Sequence, residues 1–213
     1  MSAGIADQDS VADETRTSPG PAPRRAALGI TALLVAALVA FAFAPMLLPE
    51  SYSWVEHGIS ESAAQGIDGA WLARGGLILY GLAVVWLVGI RHSTWGPLAT
   101  ALFAVFGASM FGVAAFAAKP WEEDAVFVES EDMLHSAFAG SAGFAFVAGI
   151  LTLIVARRHR SVRAAIPDWV AFLVAAIVPL TASASIWGAL QRLMFFTAAV
   201  WYAREAWRAK PVH

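Results

Sequence analysis

Ala26 to Leu48 runs without a charge, and at 1.5 Å per residue it makes a helix of about 34 Å, enough for a hydrocarbon core of about 30 Å. In lipid every backbone N–H and C=O must find its partner within the chain, so such a run is committed to the helix. Five further windows of similar length follow at Ala70 to Ile90, Pro97 to Ala118, Leu134 to Ala156, Trp169 to Trp187 and Ala189 to Arg208. Composition agrees: 59% of the 213 residues are hydrophobic and 14% charged, against about half and about a quarter in soluble domains. The expected fold is an all-α membrane protein, a six-transmembrane-helix bundle. Its domains are a disordered tail over residues 1–25, the membrane domain over 26–208 and a short tail over 209–213.

Residues Met1 to Arg25 are polar, hold Pro19, Pro21 and Pro23, and lack apolar periodicity, so they bury too little to offset their ordering entropy. Acids precede the first apolar run, which is longer than a signal-peptide core, so it reads as a retained anchor. The absence of cysteine excludes disulfides, thiol catalysis and thiolate-held zinc. A net charge of -2 gives no argument for a nucleic-acid partner. Arginine and alanine dominate their classes, which points to a GC-rich bacterial genome and hence to the plasma membrane.

Basic residues orient the chain. Arg16, Arg24 and Arg25 precede the first run, Arg91 follows the second, Arg157, Arg158, Arg160 and Arg163 lie between the fourth and fifth, and Arg204, Arg208 and Lys210 end the sixth. By the positive-inside rule that side is cytoplasmic, and both termini lie there. The other side carries Glu50, Glu56, Glu61 and Asp68 in one loop and Glu122 to Asp124, Glu129, Glu131 and Asp132 in the next.

Arg74 and Arg192 belong to neither group. Counted back from Arg91 and Arg208, they sit about 25 and 24 Å above the cytoplasmic side, at a shared depth. An intramembrane arginine costs on the order of 3 kcal/mol, so partners are expected, and the outer-loop acids are the natural ones. In Glu131-Asp132-Met133-Leu134-His135-Ser136, residues three and four apart share a helix face, so Glu131 and Asp132 meet His135. Completed by Glu56 or His57, this set has the ligand types of an open metal site, with His57, Glu131, Asp132 and His135 as candidate ligands. The competing reading is a helix start capped by Ser130, with acids complementing the dipole. Ser53 with His57 is a weak nucleophile-and-base pair. Ser141, Ala145 and Gly149 form a small-residue stripe, and Pro179 marks a bend.

These residues predict a polar cluster of Glu56, His57, Arg74, Glu131, Asp132, His135 and Arg192 at the outer face, joining the second, fourth and sixth spans. The leading reading is a non-enzymatic membrane component embedded in the lipid bilayer, with no cofactor, whose cluster admits a small polar or lipid-headgroup ligand. A metal-assisted hydrolase at the outer leaflet, using zinc, is one alternative, and a small-solute transporter is another, disfavoured because only the Pro179 helix looks broken.

The segment Tyr52-Ser53 to Ser60, the helix opening Ala70-Trp71-Leu72-Ala73-Arg74-Gly75-Gly76, the start Glu131-Asp132 to His135-Ser136 and the start Gln191-Arg192-Leu193-Met194-Phe195 carry a resemblance. Over Ala26 to Arg208 the chain resembles the domain-of-unknown-function 998 family of bacterial six-helix membrane proteins. The resemblance implies a membrane location and six helices, and no particular activity or ligand. Ser53, His57, Asp132 and His135 are also the residue types of the membrane hydrolase superfamily that includes alkaline ceramidases, but its paired histidine motif on the last helix is absent.

Overall fold

Gly96 alone joins two of the long helices. Its φ of +78° lies in the region closed to residues with a Cβ, and Pro97 opens the next helix with a ring already set at helical φ and no N–H to leave orphaned. The computed structural model describes residues 21–122, 124–158 and 161–208. The helices are α1 Pro21–Phe43, α2 Ile59–Ser62, α3 Ala70–Trp95, α4 Pro97–Ala115, α5 Glu129–Ala156, α6 Val162–Ile177 and α7 Trp187–Trp207, with 3-10 turns at Ala44–Leu47 and Val178–Thr181. Only α2 is short. The other six run alternately up and down, each against its neighbour in sequence, and α7 packs on α1, α3 and α6, closing a ring.

Among the described residues, five stretches are long and apolar enough to cross a membrane: Arg24–Leu47, Ala70–Trp95, Pro97–Ala115, Glu129–Ala156 and Val162–Thr181. α7 falls outside that set. It carries Gln191 and Arg192 near its start and Arg204 and Glu205 near its end, polar groups that lower its hydropathy, while Leu193, Phe196 and Val200 between them are exposed. The chain is thus a multi-pass helical membrane protein. Residues 1–20 and 209–213, most of the two expected tails, lie outside the described residues, while Pro21 to Arg25, expected in the first tail, open α1.

Several boundaries move from those expected. α3 continues through Arg91 to Trp95, placing that arginine inside a helix. α5 begins at Glu129 after Val128, so Ser130 lies within the first turn and makes no cap; the N–H groups of Glu131 and Asp132 turn back to the Val128 carbonyl. α6 starts at Val162, well before Trp169, and gives way to the 3-10 turn at Val178 because Pro179 has no N–H to continue the ladder. The last two long helices are therefore separated by residues 178–186, the 3-10 turn included, whereas hydropathy joins the expected spans almost directly between Trp187 and Ala189.

Aromatic rings fill the centre: Trp95, Phe103, Phe106, Phe146, Trp201 and Tyr202 pack edge and face with centroids 4.7 to 6.4 Å apart. In lipid, helices gain little from burying apolar surface and associate by close packing. α4 and α5 meet this way where Phe103 lies over Gly149: a Cβ there would stand 2.8 Å from the ring. Of the expected stripe, Ala145 and Gly149 are buried and Ser141 is exposed. Gly149→Ala is expected to cost about 1–3 kcal/mol by overpacking, seen as a lower Tm in detergent, with Ser141→Ala on the same helix unchanged.

Candidate functional site

We call the end where α1 starts and α7 finishes the arginine end, and the end bearing residues 44–69 and 116–128 the loop end. α7 enters at the loop end with orphan N–H groups, as every helix does. Gly188 and Ala189 donate theirs to the carbonyls of Glu56 and Val55. The approach is tight enough that a Cβ on Gly188 would overlap the His57 carbonyl. One turn on, Arg192 turns back and donates to the carbonyls of Trp54, His57 and Gly188 at 2.8, 2.9 and 3.0 Å and to the Tyr52 hydroxyl at 2.7 Å. The Tyr52 hydroxyl donates in turn to the His57 and Gly58 carbonyls. Burial pushes the Tyr52 phenol above its ordinary value, against the pull of the Arg192 guanidinium, so it stays a neutral donor. Gln191 accepts the Ile59 N–H beside it.

Arg74 does the same from α3. Its Nε and Nη2 donate to the carbonyls of Ala63 and Ala64 at 3.0 and 2.8 Å, at the C-terminal end of α2, where the dipole favours a cation. The expected carboxylate partners are corrected: among the described residues neither Arg74 nor Arg192 forms an ion pair, because the loop backbone reaches each guanidinium first.

The other expected members are dispersed. His57 accepts the Ser53 N–H at Nδ1 and lies between Tyr52 and Trp121. Glu56 contributes its carbonyl, with an exposed side chain. Asp132 accepts the Lys119 N–H at 2.8 Å. His135 is buried on α5, with Nδ1 2.8 Å from the Phe116 carbonyl. A carbonyl only accepts, so Nδ1 carries the proton and Nε2 is left without a partner. The Glu131 N–H goes to the Val128 carbonyl at the start of its own helix. Among the described residues no three His, Asp or Glu side chains assemble as a metal site. The two loops are instead bracketed by Gln65, which donates to the carbonyls of Ala117 and Val128 and accepts the Val128 N–H. Sequence reasoning passed over Gln65, since nothing in its neighbourhood distinguishes it from a solvated glutamine.

Beneath this cap lies a cavity of about 540 Å³ bounded by α3, α4, α5, α6 and α7. Its walls are apolar: Leu77, Tyr80, Phe106, Met110, Phe146 and Phe195 among them, with Ser60, Trp187 and Gln191 at the loop end. Exposed Gly140, Gly143, Phe144 and Pro179 line it too, so it opens sideways between α5 and the end of α6. The cause is local. Pro179 ends α6 early, and two glycines facing it leave open space where side chains would stand.

The arginine end holds what hydropathy concealed. Glu205 on α7 is 0% exposed, and its carboxylate accepts from Arg157 at 2.7 and 3.1 Å, Arg91 at 3.1 Å, Arg208 at 2.9 Å and the Trp95 indole at 2.9 Å. Asp168 on α6, 2% exposed, accepts from the Trp201 indole at 2.9 Å, Arg204 at 3.3 Å and Arg157 at 3.4 Å. Arg157 touches both acids. A buried carboxylate near a helix C-terminus faces both desolvation and an unfavourable dipole, and only several charge-assisted bonds offset that. The arginines that orient the chain in sequence thus turn inward to bind it together. The available signal was one acid at the arginine end of each of the last two apolar runs, Asp168 and Glu205.

A closed ring of long helices, five fit to cross a bilayer, with a side-opening chamber and a buried ion network, defines a multi-pass helical membrane protein. Within that class the chain belongs to the family described as protein of unknown function (DUF998), whose family model matches residues 30–208. No curated protein and no solved structure matches it.

Two outcomes follow. Glu205→Ala is expected to cost about 3–5 kcal/mol by stranding buried arginines, and Arg157→Ala combined with it should lose less than the sum in thermal unfolding, since the pair is in contact. Arg192→Lys is expected to destabilise nearly as much as Arg192→Ala, because an ammonium with three donors does not reach four acceptors spread around a planar fork.

Proposed function

We propose that this protein crosses the bacterial plasma membrane six times, with the arginine end and both termini cytoplasmic, and binds one amphiphile from the outer half of the bilayer without transforming it. The cavity carries this reading. Its volume of about 540 Å³ falls within the roughly 300–1,000 Å³ of small-ligand sites. Its apolar wall suits a hydrocarbon chain, and its side opening between α5 and α6 faces where lipid lies. Ser60, Trp187 and Gln191 stand where a polar head enters, under loops pinned by Arg74 and Arg192.

α7 serves as the sixth span in this proposal. Its charges lie at its two ends, where protein groups satisfy them, and its middle from Leu193 to Ala203 is uncharged. The outer polar residues act by shaping the entrance, and the ligand's head meets loop groups that the arginines hold in position.

The test is photolabelling with a diazirine fatty acid in nanodiscs, with labelled peptides mapped by mass spectrometry. Labelling is expected to concentrate on α5 near Phe144 and on Met194 and Phe195 of α7. Gly140 and Gly143 face open space, so Gly143→Leu should fill the chamber, leave unfolding stability within about 0.5 kcal/mol of wild type and lower labelling at least severalfold. Labelling spread evenly over all lipid-facing helices, or unchanged in Gly143→Leu, overturns the proposal.

A further inference from the structure

At the arginine end a second groove, about 570 Å³, runs between the end of α5 and the start of α6 and shares none of the chamber's lining. Its sides are lipid-type residues: Leu151 and Val155 of α5, Ile166 and Leu173 of α6, and the half-exposed Trp169, an aromatic of the sort found at membrane interfaces. Its rim carries Arg157 and Arg158. Arg157 is committed to Asp168 and Glu205, whereas the side chain of Arg158 is exposed and, among the described residues, pairs with no carboxylate.

Charge supplies the occupant. The network beside the groove sets four guanidiniums, Arg91, Arg157, Arg204 and Arg208, against two carboxylates, Asp168 and Glu205, which leaves two positive charges in excess before Arg158 is added. Asp168 lines the groove, yet Trp201, Arg204 and Arg157 take up both its oxygens, so it does not repel an anion there. From Arg158, in the turn that follows α5, down to Leu151 the groove descends about 10 Å. An apolar trough under a cationic rim matches a molecule with a phosphate at one end and an acyl chain at the other.

We propose that this groove binds one anionic glycerophospholipid from the leaflet at the arginine end, its phosphate beside Arg158 and one acyl chain laid between α5 and α6. The lipid closes a seam over the buried carboxylates and contributes counter-charge to the excess arginines.

Native mass spectrometry of the full chain in nonionic detergent tests it, with phosphatidylglycerol and phosphatidylcholine of identical chains as probes. Phosphatidylglycerol is expected to bind at least about fivefold more tightly, the scale of one arginine near an anionic headgroup. Arg158→Glu, at an exposed position, should abolish that preference without lowering Tm. Arg163→Glu, also exposed but off the groove, should keep it. Glycerol 3-phosphate, with the head and no chains, should not compete. Equal binding of the two lipids, equal loss in both arginine variants, competition by glycerol 3-phosphate, or a dimer that masks the groove in either lipid would each overturn the proposal. Because the fatty-acid label reports on the other chamber, failure of either proposal leaves the other standing.

Discussion

The Glu205 carboxylate is the interaction on which this architecture depends. It lies at the end of the last helix, and the groups that satisfy it come from the ends of α3, α5 and α7 itself, with Arg157 extending the bond to Asp168 on α6. Four helices, α3, α5, α6 and α7, therefore meet in one set of charge-assisted bonds. In a medium without water, an unmatched acid there would be costly, so the last helix docks in the register that completes the set. The aromatic layer above, Trp95 to Tyr202, turns two indole donors into the same network and ties apolar packing to polar satisfaction.

The two ends solve the same problem differently. At the arginine end cations meet carboxylates. At the loop end Arg74 and Arg192 meet peptide carbonyls, and Gln65 and Gln191 meet peptide groups as well. Loops would ordinarily be mobile; here backbone groups of residues 52–64 are held from helices at both sides. That stiff lid leaves the chamber below free of loop side chains apart from Ser60.

How far the sequence could be read follows from the kind of partner involved. The apolar runs announce the helices, and the first four are found within a few residues of where hydropathy sets them. Arg74 and Arg192 stand out because each is a charge within an apolar run. Their acceptors do not, since every residue carries a carbonyl and only the folded loop says which one arrives. Glu131, Asp132 and His135 are adjacent in sequence and share a helix face, yet the last two turn to different backbone groups, which a spacing rule cannot foresee. Arg91, Arg157, Arg204 and Arg208 read as ordinary interface charges. Their inward turn needed Asp168 and Glu205 to be recognised as acids at the same depth on neighbouring helices.

The arginine clamps have a consequence for how such a protein can change over time. Since Arg74 and Gln65 bind main-chain atoms, and Arg192 does so at all its acceptors but the Tyr52 hydroxyl, the clamp is indifferent to most of the side chains the loop displays. Residues such as Glu56 and Trp54, whose carbonyl or immediate neighbours are gripped while their side chains face outward, are free to drift and so to retune what the outer surface greets. Shape is inherited through a few long polar side chains, and the exposed lettering between them remains open to selection.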